Sequence, residues 1–156
     1  QINYSRIISI IMGRIWTNRL DGLRTAPSCH GMLCLDLYVF MESGVYKYLP
    51  AKQQLELLIK RDYRAITGND DFVPNAAVNI CYVGVIERLS YFGDIEGRKM
   101  AVQLDTGHSA MNMLLYCSSN NLKCLPRANI IEKGLLQLLS LSDKEYHIPL
   151  CFSAGK

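Results

Sequence analysis

The sequence predicts an α+β fold, a mixed β-sheet flanked by helices, and three observations carry that prediction. Residues 35–49 hold two β-rich runs joined by Glu42-Ser43-Gly44, and residues 76–86 form a nearly continuous apolar run rich in β-branched side chains. Residues 99–119 repeat small or apolar side chains at helical steps. Strands interleaved with helices over 156 residues, with no repeat or linker, fit one domain over residues 1–156.

Taken in order, Ser5 to Trp16 is apolar at Ile7, Ile8, Ile11 and Ile15, which is helical spacing. Asn18 to Gly22 reads as a turn and residues 24–28 as a loop. Leu35 to Met41 and Val45 to Leu49 then form a hairpin that Pro50 closes. Leu55 to Ile66 reads as a short helix, ended by Gly68-Asn69-Asp70-Asp71. Ala76 to Ile86 has the length of a central strand buried on both faces. Lys99 to Ser119 is the strongest helix, with Met100, Leu104, Gly107, Met111 and Leu114 at three- and four-residue steps. After Asn120-Asn121 comes a short strand at Lys123-Cys124-Leu125. Asn129 followed three residues later by Glu132 resembles a capping box opening a helix over residues 130–139. Tyr146 to Phe152 reads as the last strand.

An apolar fraction of 49% and a charged fraction of 20% are those of a globular domain with a real core. The formal charge of +3 is unevenly placed: Arg6, Arg14, Arg19 and Arg24 face only Asp21 within residues 1–24, and the rest of the chain balances. A small basic patch suits a phosphate-bearing small ligand, whereas nucleic acid would call for a broad basic stripe interleaved with aromatics. No stretch approaches the roughly 20 apolar residues of a membrane span. Six cysteines lack any C-x-x-C spacing, and Cys81 and Cys151 fall inside apolar strand-like runs. Unpaired thiols in a reducing, cytoplasmic compartment are therefore expected rather than disulfides or structural zinc.

Asp105, His108 and Asn112 share one helix face, yet a metal site would need a third strong ligand from His30 or His147. Cys29 beside His30 lacks an orienting acid, so a thiol–imidazole dyad is disfavoured. Phosphate loops of the G-x-G-x-x-G and G-x-x-x-x-G-K types are absent.

Three blocks in register resemble one family. Asn18-Arg19-Leu20-Asp21-Gly22-Leu23-Arg24-Thr25-Ala26-Pro27-Ser28, with the hairpin after it, is similar to a stretch of nitroreductase-like flavoproteins, in the branch that includes thiazole/oxazole-forming dehydrogenases. Residues 104–115 (LDTGHSAMNMLL) and 121–128 (NLKCLPRA) resemble that family's long helix and the strand and turn after it. The resemblance implies a homodimer with FMN at the subunit interface, electrons from NAD(P)H, and a nitro, quinone or other oxidised small-molecule acceptor. The cofactor carries such chemistry, so no protein acid or base is required.

Residue by residue, the resemblance places Arg24, Pro27 and Ser28 along the flavin, and Pro126, Arg127 and Ala128 at the turn whose backbone N–H faces flavin N5. Lys156 stands where a terminal basic residue is expected. Departures accompany it. The family's N-terminal arginine motif for the FMN phosphate is missing, and the chain begins on Gln1, which leaves room for an upstream segment. Gly31 replaces a ring-binding Asn, and Cys151 and Ser153 replace a glycine and a proline of the closing motif. Two alternatives to catalysis therefore stand: a relative that keeps the fold without binding flavin, and a flavin-storage protein.

Overall fold

In the computed structural model, which describes residues 26–155, β1 (Leu35–Met41) and β2 (Gly44–Leu49) form the expected hairpin. Tyr38 pairs with Lys47 and Phe40 with Val45. The helix and turn expected within residues 5–22 lie outside the described residues.

The expected helix over 55–66 is corrected. Gln54–Ile59 is a strand, β3, antiparallel to β2 with Tyr48 opposite Leu55, and a short 3-10 turn follows at Arg64–Thr67. Its Gln, Leu and Glu content favours helix only weakly, and pairing with β2 decides the outcome.

Strand β4 (Val78–Val85) is buried at every position, as expected of a central strand. It lies between β1 and β6 (Tyr146–Gly155), and β5 (Lys123–Arg127) closes the far edge in the order β3-β2-β1-β4-β6-β5. A mixed sheet was expected; the ladders among the described residues are all antiparallel.

Side chains alternate across this sheet into two cores. Leu37, Val39, Ile80, Tyr82 and Phe152 meet Val102 and Met113 of the long helix α1 (Ile95–Ser119). Tyr38, Phe40, Val83 and Ile148 meet Leu135 and Leu136 of α2 (Glu132–Leu138) on the other face. Gly84 brings α1 onto the sheet, because a Cβ there would collide with the Val102 side chain.

α1 starts a turn earlier than its apolar pattern indicates, since Asp94 caps it by accepting from the Gly97 N–H at 2.6 Å. α2 starts later than expected. Asn129 does not cap it: its side chain accepts from Asn69 at 3.0 Å, and the Glu132 carboxylate turns to His147 and Ile148.

Cys81 and Cys151, expected as free thiols, form a disulfide. The β4–β6 register sets them directly opposite each other with Cα atoms 4.2 Å apart, a closeness that 70 residues of separation hide in the sequence. Cys29, Cys34, Cys117 and Cys124 are free. No described helix is long and apolar enough to cross a membrane.

Candidate functional site

The Pro27–Ser28 loop is fastened to α1 by one buried carboxylate. Asp105 accepts from Ser28 Oγ at 2.9 Å, from the Cys29 N–H at 3.0 Å and from Cys34 Sγ at 3.4 Å. Ser28 Oγ in turn accepts from the Leu33 N–H at 2.8 Å, so the hydroxyl is committed both ways while Pro27 stays exposed. Burial pushes the Cys34 thiol up to about 12, and the adjacent Asp105 charge adds to the shift. That thiol is a structural donor, not a nucleophile.

Arg127 is 4% exposed at the end of β5 and points inward. Its Nε donates to Ser153 Oγ at 3.0 Å and Nη1 to the Thr67 carbonyl at 3.1 Å, with Asp70 at 4.0 Å. Ser153 passes the network on to Asn79, whose amide donates to the Val73 carbonyl at 2.9 Å. Gly68 leaves room for the guanidinium, since a Cβ there would strike Nη1. Burial draws the Arg127 pKa down and the Asp70 charge opposes it. Cys151 and Ser153, read in the sequence as departures from a family motif, thus make a disulfide and a strut for Arg127.

Ala128, exposed just past Arg127, lines a cleft of about 440 Å³. Thr106 and Gly107 of α1 line it too, as do Glu132, His147 and Leu150. Pockets of this size hold small molecules or part of a cofactor. Two buried atoms among the lining residues, Thr106 Oγ1 and His147 Nε2, have no hydrogen-bond partner among the described residues. The other imidazole nitrogen is occupied: Nδ1 lies 2.8 Å from Glu132 Oε1, which also accepts from the Ile148 N–H at 2.9 Å. Buried polar atoms are almost always paired, and these two are closed to solvent beside the cleft.

Outside the cleft, α1 carries an apolar stripe facing solvent. Met100, Leu104, Met111 and Leu115 are each more than half exposed. At 3.6 residues per turn they fall within roughly 60° of arc. Gly107 lies between Leu104 and Met111, so the stripe runs along the rim of the cleft.

Of the seven site residues expected from the sequence, Pro126, Arg127 and Ala128 sit together at the cleft end of β5, and Pro27 and Ser28 sit on the Asp105-anchored loop. Arg24 and Lys156 lie outside the described residues. Sequence reasoning missed Thr106, Glu132 and His147 as a group, and the only available signal, an acid near the start of the last helix, was read as a cap. The Asp105, His108 and Asn112 face does not converge, because Asp105 turns to the loop while His108 is exposed. His30 stacks on Tyr91 with ring centroids 4.2 Å apart. Among the described residues no group of three or more His, Cys, Asp or Glu side chains is placed to hold a metal ion.

An α+β sheet with a small-molecule cleft beside an apolar helix face defines the class. The chain belongs to the Nitroreductase family, whose model matches residues 9–156. It is similar to a protein of Ralstonia eutropha JMP134 described as a nitroreductase, with 29% identity and a TM-score of 0.90, covering 100% of this chain and 74% of that one. The Escherichia coli microcin synthetase McbBCD complex, with truncated pro-MccB17 bound, contains a chain 17% identical with a TM-score of 0.81, over 97% of this chain and 63% of that one. A Desulfovibrio desulfuricans protein described as a nitroreductase, in complex with FMN, is 19% identical with a TM-score of 0.67, over 99% and 74%. No match was found among curated proteins.

Proposed function

We propose that this chain is an FMN-dependent oxidoreductase that works as a homodimer and passes a hydride from NAD(P)H to an oxidised small-molecule acceptor. The single observation that carries the reading is the cleft at Ala128, bordered by the apolar stripe of α1. The residues fit a flavin ring: an apolar wall of Ile130 and Leu150, polar atoms on the same lining, and a turn whose backbone can meet the ring edge. Bound FMN would supply the hydride transfer.

The chain's own part is binding and shielding. Pro126 and Ala128 would flank the ring, and Asp105 holds the Pro27–Ser28 loop in place. Arg127 fixes the turn from inside rather than reaching a ligand. Arg24 and Lys156 are the cations assigned to the phosphate. A second copy of the chain would cover Met100, Leu104, Met111 and Leu115, closing the cleft against water.

A second reading, a relative that keeps the fold without binding flavin, is favoured by the commitment of both Ser28 Oγ and Arg127 to internal hydrogen bonds. The visible spectrum of the isolated protein separates the two. Yellow protein bleached by NAD(P)H supports the enzyme, and yellow protein that resists bleaching supports flavin storage. Colourless protein that cannot be reconstituted with FMN supports the non-catalytic relative.

A further inference from the structure

We propose that Cys117 and Cys124 form a dithiol modification site: Cys124 reacts with a low-molecular-weight disulfide such as oxidised glutathione, and Cys117 resolves the adduct to an internal disulfide.

The end of α1 creates the pair. The Leu122 N–H donates back to the Cys117 carbonyl at 2.9 Å, and Asn121 takes a φ of 52°. That left-handed residue reverses the chain, as it does at many helix ends. Strand β5 therefore runs back along the helix turn just completed, and Cys124 packs against the core cluster that holds Cys117. The two thiols are hydrogen-bonded to each other. They differ in access: Cys117 is fully buried, whereas Cys124 is partly exposed. Burial, with the Cys124 sulfur beside it, pushes the Cys117 thiol up to about 12. Cys117 thus keeps its proton, and the outer thiol is the one a reagent reaches. Of the other cysteines, Cys81 and Cys151 are already joined, and the Cys34 thiol donates to Asp105.

The chemistry balances in two exchanges. Cys124, as thiolate, attacks one sulfur of the reagent; the reagent's S–S bond breaks, and one glutathione thiolate leaves and takes a proton from water. Cys117 then gives its proton to solvent and attacks Cys124 Sγ, expelling the second glutathione. Both cysteines are oxidised, and the reagent is reduced to two thiols. The high pKa of Cys117 slows the second exchange, and contact with the adduct offsets this because the attack is intramolecular. The product ties the last turn of α1 to β5, the strand that ends on Arg127 and leads to Ala128.

A peptide map of the intact chain tests the site. Lys123 lies between the two cysteines, so trypsin leaves Cys117 within residues 100–123 and Cys124 within residues 124–127. Protein treated with oxidised glutathione, quenched in acid, alkylated and digested without reductant is expected to yield these two peptides joined, lighter than their sum by two hydrogens. In folded Cys117→Ser protein the adduct cannot be resolved, and the Cys124–glutathione disulfide is expected to build up at least about tenfold over wild type.

A stable glutathione adduct at Cys124 in wild type overturns the proposal, as does a bridge from either cysteine to any other thiol. Both thiols left reduced overturns it too. If Cys117→Ser does not fold, the wild-type peptide map decides alone.

Discussion

Ser28 Oγ donates to Asp105 Oδ2 at 2.9 Å, so a loop residue is held by a helix residue 77 positions away. The same carboxylate takes the Cys29 N–H and the Cys34 thiol, and no other acceptor stands in for it among their hydrogen bonds. Asp105→Ala therefore leaves several part-buried donors unsatisfied and is expected to cost about 3 kcal/mol. In a chain of this size that is a fall of roughly 6–12 °C in Tm. Limited proteolysis of the variant should cut first within residues 27–33. A variant as stable as wild type would show that the loop is held by something else.

Arg127 is the reverse of a surface cation. With Ser153 Oγ, the Thr67 carbonyl and Asp70 around it, the guanidinium sits inside the sheet edge. Arg127→Met keeps most of the volume but strands those polar partners, and is expected to destabilise by about 2–4 kcal/mol in urea unfolding. Gly68→Ala should act through the same contact, since its Cβ would strike Nη1. Unchanged unfolding midpoints in both variants would mean that the turn does not need the guanidinium.

The parts of this fold legible in the sequence are those decided locally. The hairpin at residues 35–49 and the buried strand at 78–85 follow from composition and flanking turns, and α1 follows from its periodicity. What failed was decided by distant partners. Strand β3 has a helix-like composition and is a strand because β2 lies beside it. Cys81 and Cys151 look like two small hydrophobes until register sets them face to face. Glu132 looks like the second half of a capping box, yet its carboxylate reaches His147 and Ile148 instead. The loop and turn of the candidate site were found through family resemblance, whereas Thr106 and His147 carry no motif and are joined only by the cleft they line.

The apolar stripe on α1 makes an assembly prediction. Met111 is 55% exposed within it, with Leu104 two turns before it and Leu115 one turn after it on the same face. Such a continuous exposed row is the mark of an interface. Met111→Glu is expected to place a charge against its own copy across the two-fold and shift the protein to monomer, read by sedimentation velocity at micromolar concentration. FMN binding should weaken in the same variant if a second copy completes the cleft. Wild-type protein that sediments as a monomer would remove the homodimer from the proposed function.

The acid limb of stability should run through Asp36. Burial alone would raise its pKa, but hydrogen bonds from Arg88 at 2.7 Å and Lys47 at 3.0 Å, with their charges, outweigh burial and hold it below the usual carboxylate value. A carboxylate whose folded pKa is depressed contributes stability that is fully present above its unfolded pKa, about 3.9, and is lost as pH falls through the folded value. The stability difference between wild type and Asp36→Asn is therefore expected to be constant from neutral pH down to about 5 and to shrink below about 4. Denaturant titrations at a series of pH values measure it directly. Because Arg88 and Lys47 stay charged throughout that range, a difference that grew toward acid would mean that Asp36 is protonated in the native state and that the two cations are held by other groups.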